Sequence, residues 1–428
     1  MAAAREDLSV VVVGGSVAGL SCALSLLYHH RQRYLQAGAH TTESTASLKV
    51  VVFEKARFLT AAGAGLGLDA TSCDTLFKWG LPLNSYTVPL SYEENRVFNP
   101  VLKQWRTVAK DQSFNYHAAH WSDLHRMLYD SLPGDIVKWD HEVTASEVTA
   151  DGLHVNVYFK KGGSSTVEMM QANLLIAADG SMSETRRRFL PDEKRRYCGY
   201  CAWRGVLDAS SKEGMKLKTA LQQQYPDLGH CLYFDIAEKT HAVFYELKGN
   251  RLNWLWYVNQ PEPILRGLSV TAKADDEAIE KMHVMSKHVW SQELASLIQG
   301  TPAPFVNAIY DRAPLKQLVW GRIVLVGEAA HPTSPHGLRS TNMSIMDADV
   351  LGQCIIKCGW QVDEALKEYE ELRLPHAAQQ VLFSRYLGQI KQGLLPLQLP
   401  ESLVANNFHW EKLLQKSMIT FEVEYSET

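Results

Sequence analysis

The chain has 428 residues, of which 46% are hydrophobic and 21% charged, a composition typical of a globular protein with a large buried core. Its net charge of -4 excludes a general electrostatic attraction to nucleic acid or anionic membranes, so we expect a small-molecule substrate. Seven cysteines without a dense framework indicate free thiols, and no apolar run is long enough to predict a membrane span. We therefore expect a cytoplasmic enzyme, either a monomer or a homodimer.

The first elements predict a nucleotide-binding βαβ unit. An apolar run over residues 9–13 is followed by a glycine-rich turn and then by a helical stretch. Such a turn needs glycine at the sharp bend, a small residue facing the pyrophosphate and glycine where helix packs on strand, and Gly14, Ser16 and Gly19 occupy these places. The helix N-terminus would then present unpaired N–H groups to the anion. The predicted cofactor contacts of this turn are Gly14, Gly15, Ser16, Val17 and Ala18.

A second apolar strand over residues 48–53 ends at Glu54, followed by Lys55. A carboxylate at this position can accept hydrogen bonds from both ribose hydroxyls of a dinucleotide. The distance from the glycine turn exceeds the usual spacing of about 20 residues, and a polar loop over 37–47 accounts for the excess. Glu54 and Lys55 are predicted to contact the cofactor, with a solvated strand end as the alternative.

Two later segments also place a carboxylate just beyond an apolar strand. Asp179 and Gly180 follow residues 174–178, and Glu328 follows residues 322–326. Together with the glycine turn, these segments resemble the three fingerprints of the single-component, FAD-dependent aromatic hydroxylases, in the same order. The resemblance implies that Asp179 lies near the flavin and nicotinamide nucleotides. It also implies that Glu328, in place of the usual aspartate, binds the FAD ribose.

The resemblance runs from about Ser9 to about Pro375 and is closest to the 2,6-dihydroxypyridine 3-hydroxylase type. The segment HWSDLHRML, residues 120–128, has Trp121 where many relatives have arginine. It places Arg126 further along the same predicted helix, where it is predicted to reach the FAD phosphates or ring. The segment RRYCGYCAWRG, residues 195–205, matches the strand that enters the substrate domain.

The segment PHGLRSTNMSIMDAD, residues 335–349, resembles the proline-led loop and helix that lie against the flavin ring. A helix N-terminus aimed at the flavin would stabilise the negative charge that reduction places there. The backbone N–H groups of Leu338, Arg339 and Ser340 are the candidates. Family members usually carry glycine where this chain has Arg339 or Ser340. An ordinary loop with a helix cap is the alternative.

The fold implied by this resemblance is α/β, with a Rossmann-like FAD-binding domain and an inserted, mostly antiparallel substrate-binding sheet, as in para-hydroxybenzoate hydroxylase. Residues 273–299 have a helical period, whereas residues 197–260 read as strands. The predicted division is an FAD-binding domain of 1–75, 115–190 and 310–375, a substrate-binding domain of 76–114 and 191–309, and a C-terminal helical segment of 376–428.

Candidates for substrate chemistry follow from residue type. His336 in the flavin loop could shuttle a proton, and Arg204 could attract a phenolate or carboxylate, with a surface salt bridge as its alternative. No metal site is expected, because the CxxC of Cys198 and Cys201 has no second cysteine or histidine pair. Core packing is the alternative for Tyr245 and Trp256 among the pocket candidates. The predicted pocket residues are Tyr200, Trp203, Tyr245 and Trp256.

The resemblance implies a monooxygenase in which NAD(P)H reduces FAD and oxygen adds at the flavin C4a. The resulting hydroperoxide would hydroxylate a small, electron-rich aromatic or heteroaromatic substrate. One alternative is a flavin-dependent reductase or dehydrogenase on the same scaffold. The other is a non-catalytic FAD-binding regulatory protein, an alternative that the altered residues Ser16, Glu328 and Ser340 keep open.

Overall fold

A computed structural model describes residues 7–37, 47–59, 63–99, 104–264, 270–394 and 413–416. The polar loop predicted over 37–47 falls, apart from its two ends, outside these residues. The strands are β1 (Leu8–Val13), β2 (Leu48–Glu54), β3 (Gly65–Leu68), β4 (Thr87–Leu90), β5 (Tyr92–Asn99), β6 (Gln104–Asp111), β7 (Tyr116–His120), β8 (Val137–Trp139), β9 (His141–Val148), β10 (Val155–Lys161), β11 (Glu168–Ala172), β12 (Leu174–Ala177), β13 (Arg196–Asp208), β14 (Cys231–Ala237), β15 (Thr240–Leu247), β16 (Arg251–Asn259), β17 (Thr271–Lys273), β18 (Phe305–Asp311), β19 (Val319–Trp320) and β20 (Ile323–Leu325).

The helices alternate with these strands in the first and last parts of the chain. They are α1 (Val17–Ala37), α2 (Ala70–Lys78), α3 (Trp121–Asp130), α4 (Glu184–Phe189), α5 (Lys212–Gln224), α6 (Asp276–Val289), α7 (Gln292–Gly300), α8 (Arg339–Lys357) and α9 (Val362–Lys391). Among the helices described, none is both long and apolar enough to cross a membrane.

The first sheet has the strand order β19-β20-β12-β1-β2-β8, and its central strands are parallel. Its strands are nearly continuous apolar runs because both faces are covered. Helices α1 and α8 pack together on this unit, while the antiparallel sheet β11-β10-β9 is packed against β1 and β2. There the rings of Phe53 and Phe159 have centroids 4.5 Å apart. The carboxyl ends of β1, β12 and β20 therefore meet at one edge, where ligands bind in open parallel sheets.

The second sheet has the order β17-β18-β13-β16-β15-β14-β5-β6 and is antiparallel except where β14 and β5 run parallel. One face packs against α5, α6 and α7 in a core that contains Trp254, Trp256 and Trp290. The other face packs on the small sheet β3-β7-β4. This arrangement confirms the predicted α/β class with a second, mostly antiparallel sheet.

The helix α9 runs without interruption through Pro375. The predicted boundary between 375 and 376 therefore falls inside a helix, because α9 continues to Lys391 with its buried face in place. Of the predicted C-terminal helical segment, residues 395–412 and 417–428 lie outside the described residues. The short described piece Leu413–Lys416 packs beside the end of α9, where Leu413 shares a buried cluster with Ile390.

Candidate active site

A cavity of about 750 Å³ lies between the carboxyl edge of the first sheet and one face of the second sheet. At one end its wall contains Ser16, Val17 and Ala18 from the start of α1, with Glu328 from the loop after β20. At the other end its wall comes from strands of the second sheet, including Arg204. We call these the motif end and the sheet end.

The glycine turn is fixed by close backbone contacts. Gly14 has φ +102°, and a Cβ there would lie 2.4 Å from the carbonyl oxygen of Ala178, so only glycine fits. The Gly15 N–H donates to Glu54 Oε2 over 2.7 Å. Sequence reasoning missed His125, whose Nε2 lies 2.6 Å from the Gly15 carbonyl and must donate to it. The turn is thus held from three sides.

The start of α1 forms a site for an anion. The helix begins at Val17 with no acidic residue in its first turn, so its free N–H groups and partial positive charge are uncompensated. Ser16 is exposed to the cavity just before this helix. The arrangement suits a pyrophosphate, as the sequence predicts for Ser16, Val17 and Ala18.

Glu54, Lys55 and Arg126 do not line the cavity. Glu54 is half-buried, and its second oxygen accepts from the Ala56 N–H over 2.7 Å, which leaves a lone pair on each oxygen for a ribose hydroxyl. Lys55 is exposed. Arg126 is also exposed, because α3 buries its opposite face, and Trp121 lines the cavity instead.

The segment after β12 holds a carboxylate with an unused oxygen. Asp179 Oδ2 accepts from the N–H and hydroxyl of Thr185, each over 3.1 Å. Its Oδ1 is buried without a hydrogen-bond partner in the described part of the chain. A buried carboxylate oxygen is costly without a donor. Asp179 does not line the cavity itself, but the residues on both sides of it, Ala178 and Gly180, do.

Arg186, which sequence reasoning also missed, joins the two carboxylate segments. It is 1% exposed and donates to the carbonyls of Ser181, Glu328 and Ala329. Burial lowers the pKa of Arg186 to about 10, which still leaves it charged at pH 7. No periodic signal distinguishes it from the neighbouring Arg187 and Arg188, since only its position in the fold buries it.

We call residues 335–340, which the sequence predicts beside the flavin, the flavin loop. This loop turns through two consecutive left-handed residues, Gly337 at φ +77° and Leu338 at φ +55°. Asn342 Nδ2 stabilises the conformation of Leu338 by donating to its carbonyl over 2.5 Å. At the start of α8, the Ser340 hydroxyl donates to Glu328 Oε1 over 2.8 Å. Glu328 and Ser340, the two residues that differ from those usual in the family, are thus hydrogen-bonded to each other.

These residues fit FAD. A dinucleotide needs a close main-chain approach, which Gly14 allows, and a site for its diphosphate, which the helix N-terminus at Val17 provides. Its hydroxyls need acceptors, and Asp179 has an oxygen without a partner among the described residues. Leu338, Arg339 and Ser340 all line the cavity, as the sequence predicts for the loop beside the flavin.

The sheet end is formed by side chains on one face of the second sheet. Arg204 of β13, Tyr245 of β15 and Tyr257 of β16 all line the cavity. Trp203 and Trp256, which pair with each other across β13 and β16, lie on the opposite face in the core with α5–α7. Their prediction as pocket residues is therefore wrong, because alternation along each strand turns them away from the residues that line the cavity.

His336 lines the cavity but is engaged on both ring nitrogens. Gln392 Nε2 donates to Asn259 Oδ1, so Gln392 Oε1 faces His241 Nδ1 at 2.7 Å and accepts a hydrogen bond from its N–H. His241 Nε2 is then an acceptor for His336 Nε2–H at 3.3 Å. The remaining His336 Nδ1 accepts from the Tyr200 hydroxyl, also at 3.3 Å. Tyr200 is buried behind the histidine and does not line the cavity itself.

Both histidines are neutral at pH 7. Burial, reinforced by the nearby positive Lys391, lowers the pKa of His241 to about 3. Burial, then His241 and Lys391, holds the pKa of His336 well below its ordinary value. Sequence reasoning missed His241, although its position four residues before Tyr245 puts both on one face of β15.

The sequence matches the family described as "FAD binding domain" over residues 7–211 and 276–384. The chain is 28% identical to 3-amino-4-hydroxybenzoate 2-monooxygenase of Streptomyces cremeus, over 87% of this chain and 85% of that protein. It is 26% identical to a salicylate hydroxylase of Pseudomonas putida, over 96% and 92%. Its fold matches that of 2,6-dihydroxypyridine-3-hydroxylase from Arthrobacter nicotinovorans with a TM-score of 0.73 at 20% identity, over 91% of this chain and 94% of that one.

Proposed function

Because the chain belongs to the FAD-binding-domain family and is an FAD-dependent monooxygenase related to the aromatic hydroxylases, we propose that it uses NAD(P)H to hydroxylate a small, electron-rich aromatic acid. The observation that carries the substrate class is Arg204 in the sheet end of the cavity. Two of the similar proteins are named for benzoate-type acids, which supports the same class.

Arg204 has no carboxylate within ion-pair distance among the described residues, and its Nε is buried without a hydrogen-bond partner. By contrast, Arg312 in the same cavity wall pairs with Glu193, and Arg195 stacks on Tyr310. A guanidinium in a half-buried site gains most from a carboxylate or phenolate that it can bind through two N–H groups. Arg204 is therefore the proposed anchor for the anionic group of the substrate.

The rest of the sheet end would orient the ring and exclude water. Phe234, Val243 and Leu255 provide apolar walls beside Arg204. Burial raises the pKa of Tyr257, against the opposing effect of Arg204, so the phenol stays neutral and can hydrogen-bond a polar substituent. Apolar walls with a few convergent polar groups are the usual construction of a small-molecule site.

His336 stays the proposed proton acceptor for a ring hydroxyl of the substrate. Burial lowers its pKa, so the resting side chain is neutral with one unprotonated ring nitrogen, but the same lowering makes it a weak base. Its acceptor nitrogen is Nδ1, whose bond from the Tyr200 hydroxyl is long, at 3.3 Å, so a substrate hydroxyl can compete for this nitrogen. His241 would then share the proton along the ring pair.

At the motif end, the chain's own residues would hold the cofactor. We propose that the start of α1 binds the diphosphate, that Glu54 accepts from the adenosine ribose, and that Asp179 and Glu328 accept from the remaining hydroxyls. When bound, FAD supplies the redox chemistry that activates oxygen, with NAD(P)H as the source of electrons.

The test is a panel of hydroxylated benzoates and pyridine carboxylates, each paired with the same ring lacking the carboxylate. We expect an acid from the panel to accelerate NAD(P)H oxidation and to yield a product heavier by one oxygen atom. A product heavier by two hydrogens would instead identify a reductase. Tight FAD binding without acceleration by any acid or neutral ring would favour a regulatory protein.

A further inference from the structure

The described piece of the C-terminus, Leu413–Lys416, lies against the flavin loop. Gln415 is 1% exposed and belongs to the cavity wall. Its Oε1 accepts from the Gly337 N–H over 2.6 Å, and its carbonyl accepts from Arg339 Nη2 over 2.8 Å. One residue near the end of the chain therefore holds the loop on both sides of Leu338.

The loop requires such support because two consecutive residues adopt the left-handed conformation. Gly337 does so without strain, but Leu338 carries a Cβ that this conformation disfavours. Strained backbone persists only where surrounding contacts determine it. Asn342 holds Leu338 from the α8 side through its carbonyl, and Gln415 holds the preceding peptide from the other side.

Gln415 is itself fixed by a buried polar path into rigid elements. Its N–H donates to Glu93 Oε2 over 2.8 Å. The other oxygen of Glu93 accepts from Asn95 Nδ2 over 2.9 Å, and Asn95 Oδ1 accepts from Lys391 Nζ over 3.0 Å. Because Glu93 and Asn95 belong to β5 and Lys391 ends α9, the support rests on the second sheet and the last long helix.

The choice of glutamine here has a cost. Gln415 Nε2 is buried and has no acceptor among the residues described. An unsatisfied buried donor is unfavourable, and a methionine of similar length would avoid it. Packing alone does not explain a glutamine at this position, whereas the acceptor that it offers to Gly337 does.

We propose that Gln415 is a positioning residue of the flavin site, which sets the flavin loop through the Gly337 N–H and the Arg339 guanidinium. The C-terminal segment then belongs to the cofactor site although it lies far from every fingerprint in sequence. The inference depends on FAD binding and not on the proposed hydroxylation, so it goes beyond the proposed function.

The test compares Gln415→Met with Lys416→Met in the full-length protein. The first removes the acceptor and keeps the side-chain length, while the second alters an outward-facing neighbour that pairs with Asp111. We measure the Kd of the apoprotein for FAD by flavin fluorescence, the visible circular dichroism of bound FAD, and the thermal unfolding of both apoproteins. None of these measurements uses a substrate, so failure of the hydroxylation assay would not affect them.

We expect Gln415→Met to raise the FAD Kd about tenfold and to change the flavin dichroism, as loss of one well-placed hydrogen bond implies. Lys416→Met should stay within twofold of the wild type. An FAD Kd within twofold and an unchanged dichroism for Gln415→Met would overturn the proposal. If that variant does not fold, hydrogen exchange of the wild-type Gly337 amide decides: slow exchange supports the hydrogen bond, and exchange at the rate of an open loop refutes it.

Discussion

The two ends of the cavity differ in whether main-chain groups or side chains form their walls. The motif end is mostly main chain: the bend at Gly14, the start of α1 and the strained turn at Leu338. The sheet end is made of side chains on one face of a rigid sheet, among them Arg204 and Tyr257. Main-chain geometry tolerates few substitutions, whereas side chains on a sheet can change without moving the backbone. We therefore propose that the motif end holds the cofactor and that the sheet end sets the substrate.

The largest effect should come from the face of the sheet turned away from the cavity. We expect Trp256→Ala to lower the free energy of unfolding by about 3–5 kcal/mol, because a fully buried indole is removed from the core. The adjacent Tyr257→Phe keeps the ring, so it should cost less than about 1.5 kcal/mol but raise KM for the substrate severalfold. Denaturant unfolding and steady-state kinetics measure the two effects. If Trp256→Ala raised KM more than Tyr257→Phe did and cost no more unfolding free energy, Trp256 and not Tyr257 would face the cavity.

At the motif end, Gly19→Ala should weaken FAD binding by a factor on the order of 100. A Cβ at Gly19 would lie 1.9 Å from the carbonyl oxygen of Gly14, so the turn must distort. Gly134→Ala is the matched control, because nothing lies within 4 Å of a Cβ there. Titration of the apoproteins with FAD provides the comparison, and equal affinities for both variants would contradict the close approach at this turn.

For the sheet end, Arg204→Met should raise KM for an aromatic acid about 10- to 30-fold and leave the KM of a neutral analogue within about threefold. The expected difference follows from loss of a charge-assisted hydrogen bond that only the acid can make. FAD affinity should not change, which separates this residue from the motif end. Equal increases in KM for acid and neutral analogue would assign Arg204 to packing.

At the sheet end, His241 should make the stability of the protein depend on pH. The folded pKa of His241 lies near 3, below the ordinary value of about 6.5, so the unfolded chain binds more protons between these values. The free energy of unfolding should therefore fall as pH drops below about 6.5. At the motif end, burial also lowers the pKa of His125, which contacts the Gly15 carbonyl, so both ends contain a histidine that lowers stability as the pH falls. Burial raises the pKa of Asp347, but its partners His331 and Arg373 lower it more strongly, so this carboxylate affects stability only below about pH 4.

The measurement is chemical unfolding of the wild type and His241→Gln between pH 6.5 and 4.5. The quantity compared is the slope of the unfolding free energy against pH. Removing one histidine that is neutral only in the folded state should reduce this slope by up to about 1.4 kcal/mol per pH unit. His288→Gln, on an exposed surface of α6, is the control and should keep the wild-type slope. An unchanged slope for His241→Gln would mean that this histidine is charged in the fold.

The same difference in construction explains what could be predicted from sequence. Glycine spacing and carboxylates at strand ends follow from main-chain geometry. The fold class and the cavity residues Ser16, Val17 and Ala18 could therefore be predicted from the sequence. Alternation shows that Trp254 and Trp256 share a face, but not which face meets the cavity. Periodicity likewise did not reveal that Arg126 lies on the exposed side of α3. His241 and Gln415 reach the flavin loop only through tertiary contacts between distant segments.

We propose that this cavity transfers one atom of molecular oxygen to an aromatic acid held at Arg204. The most direct measurement is the product mass from a reaction under ¹⁸O₂ with an acid that accelerates NAD(P)H oxidation. We predict a product with a new hydroxyl that contains one ¹⁸O atom, and none from labelled water. A product without ¹⁸O, formed with the same consumption of NAD(P)H, would refute the transfer of oxygen from O₂ to the substrate.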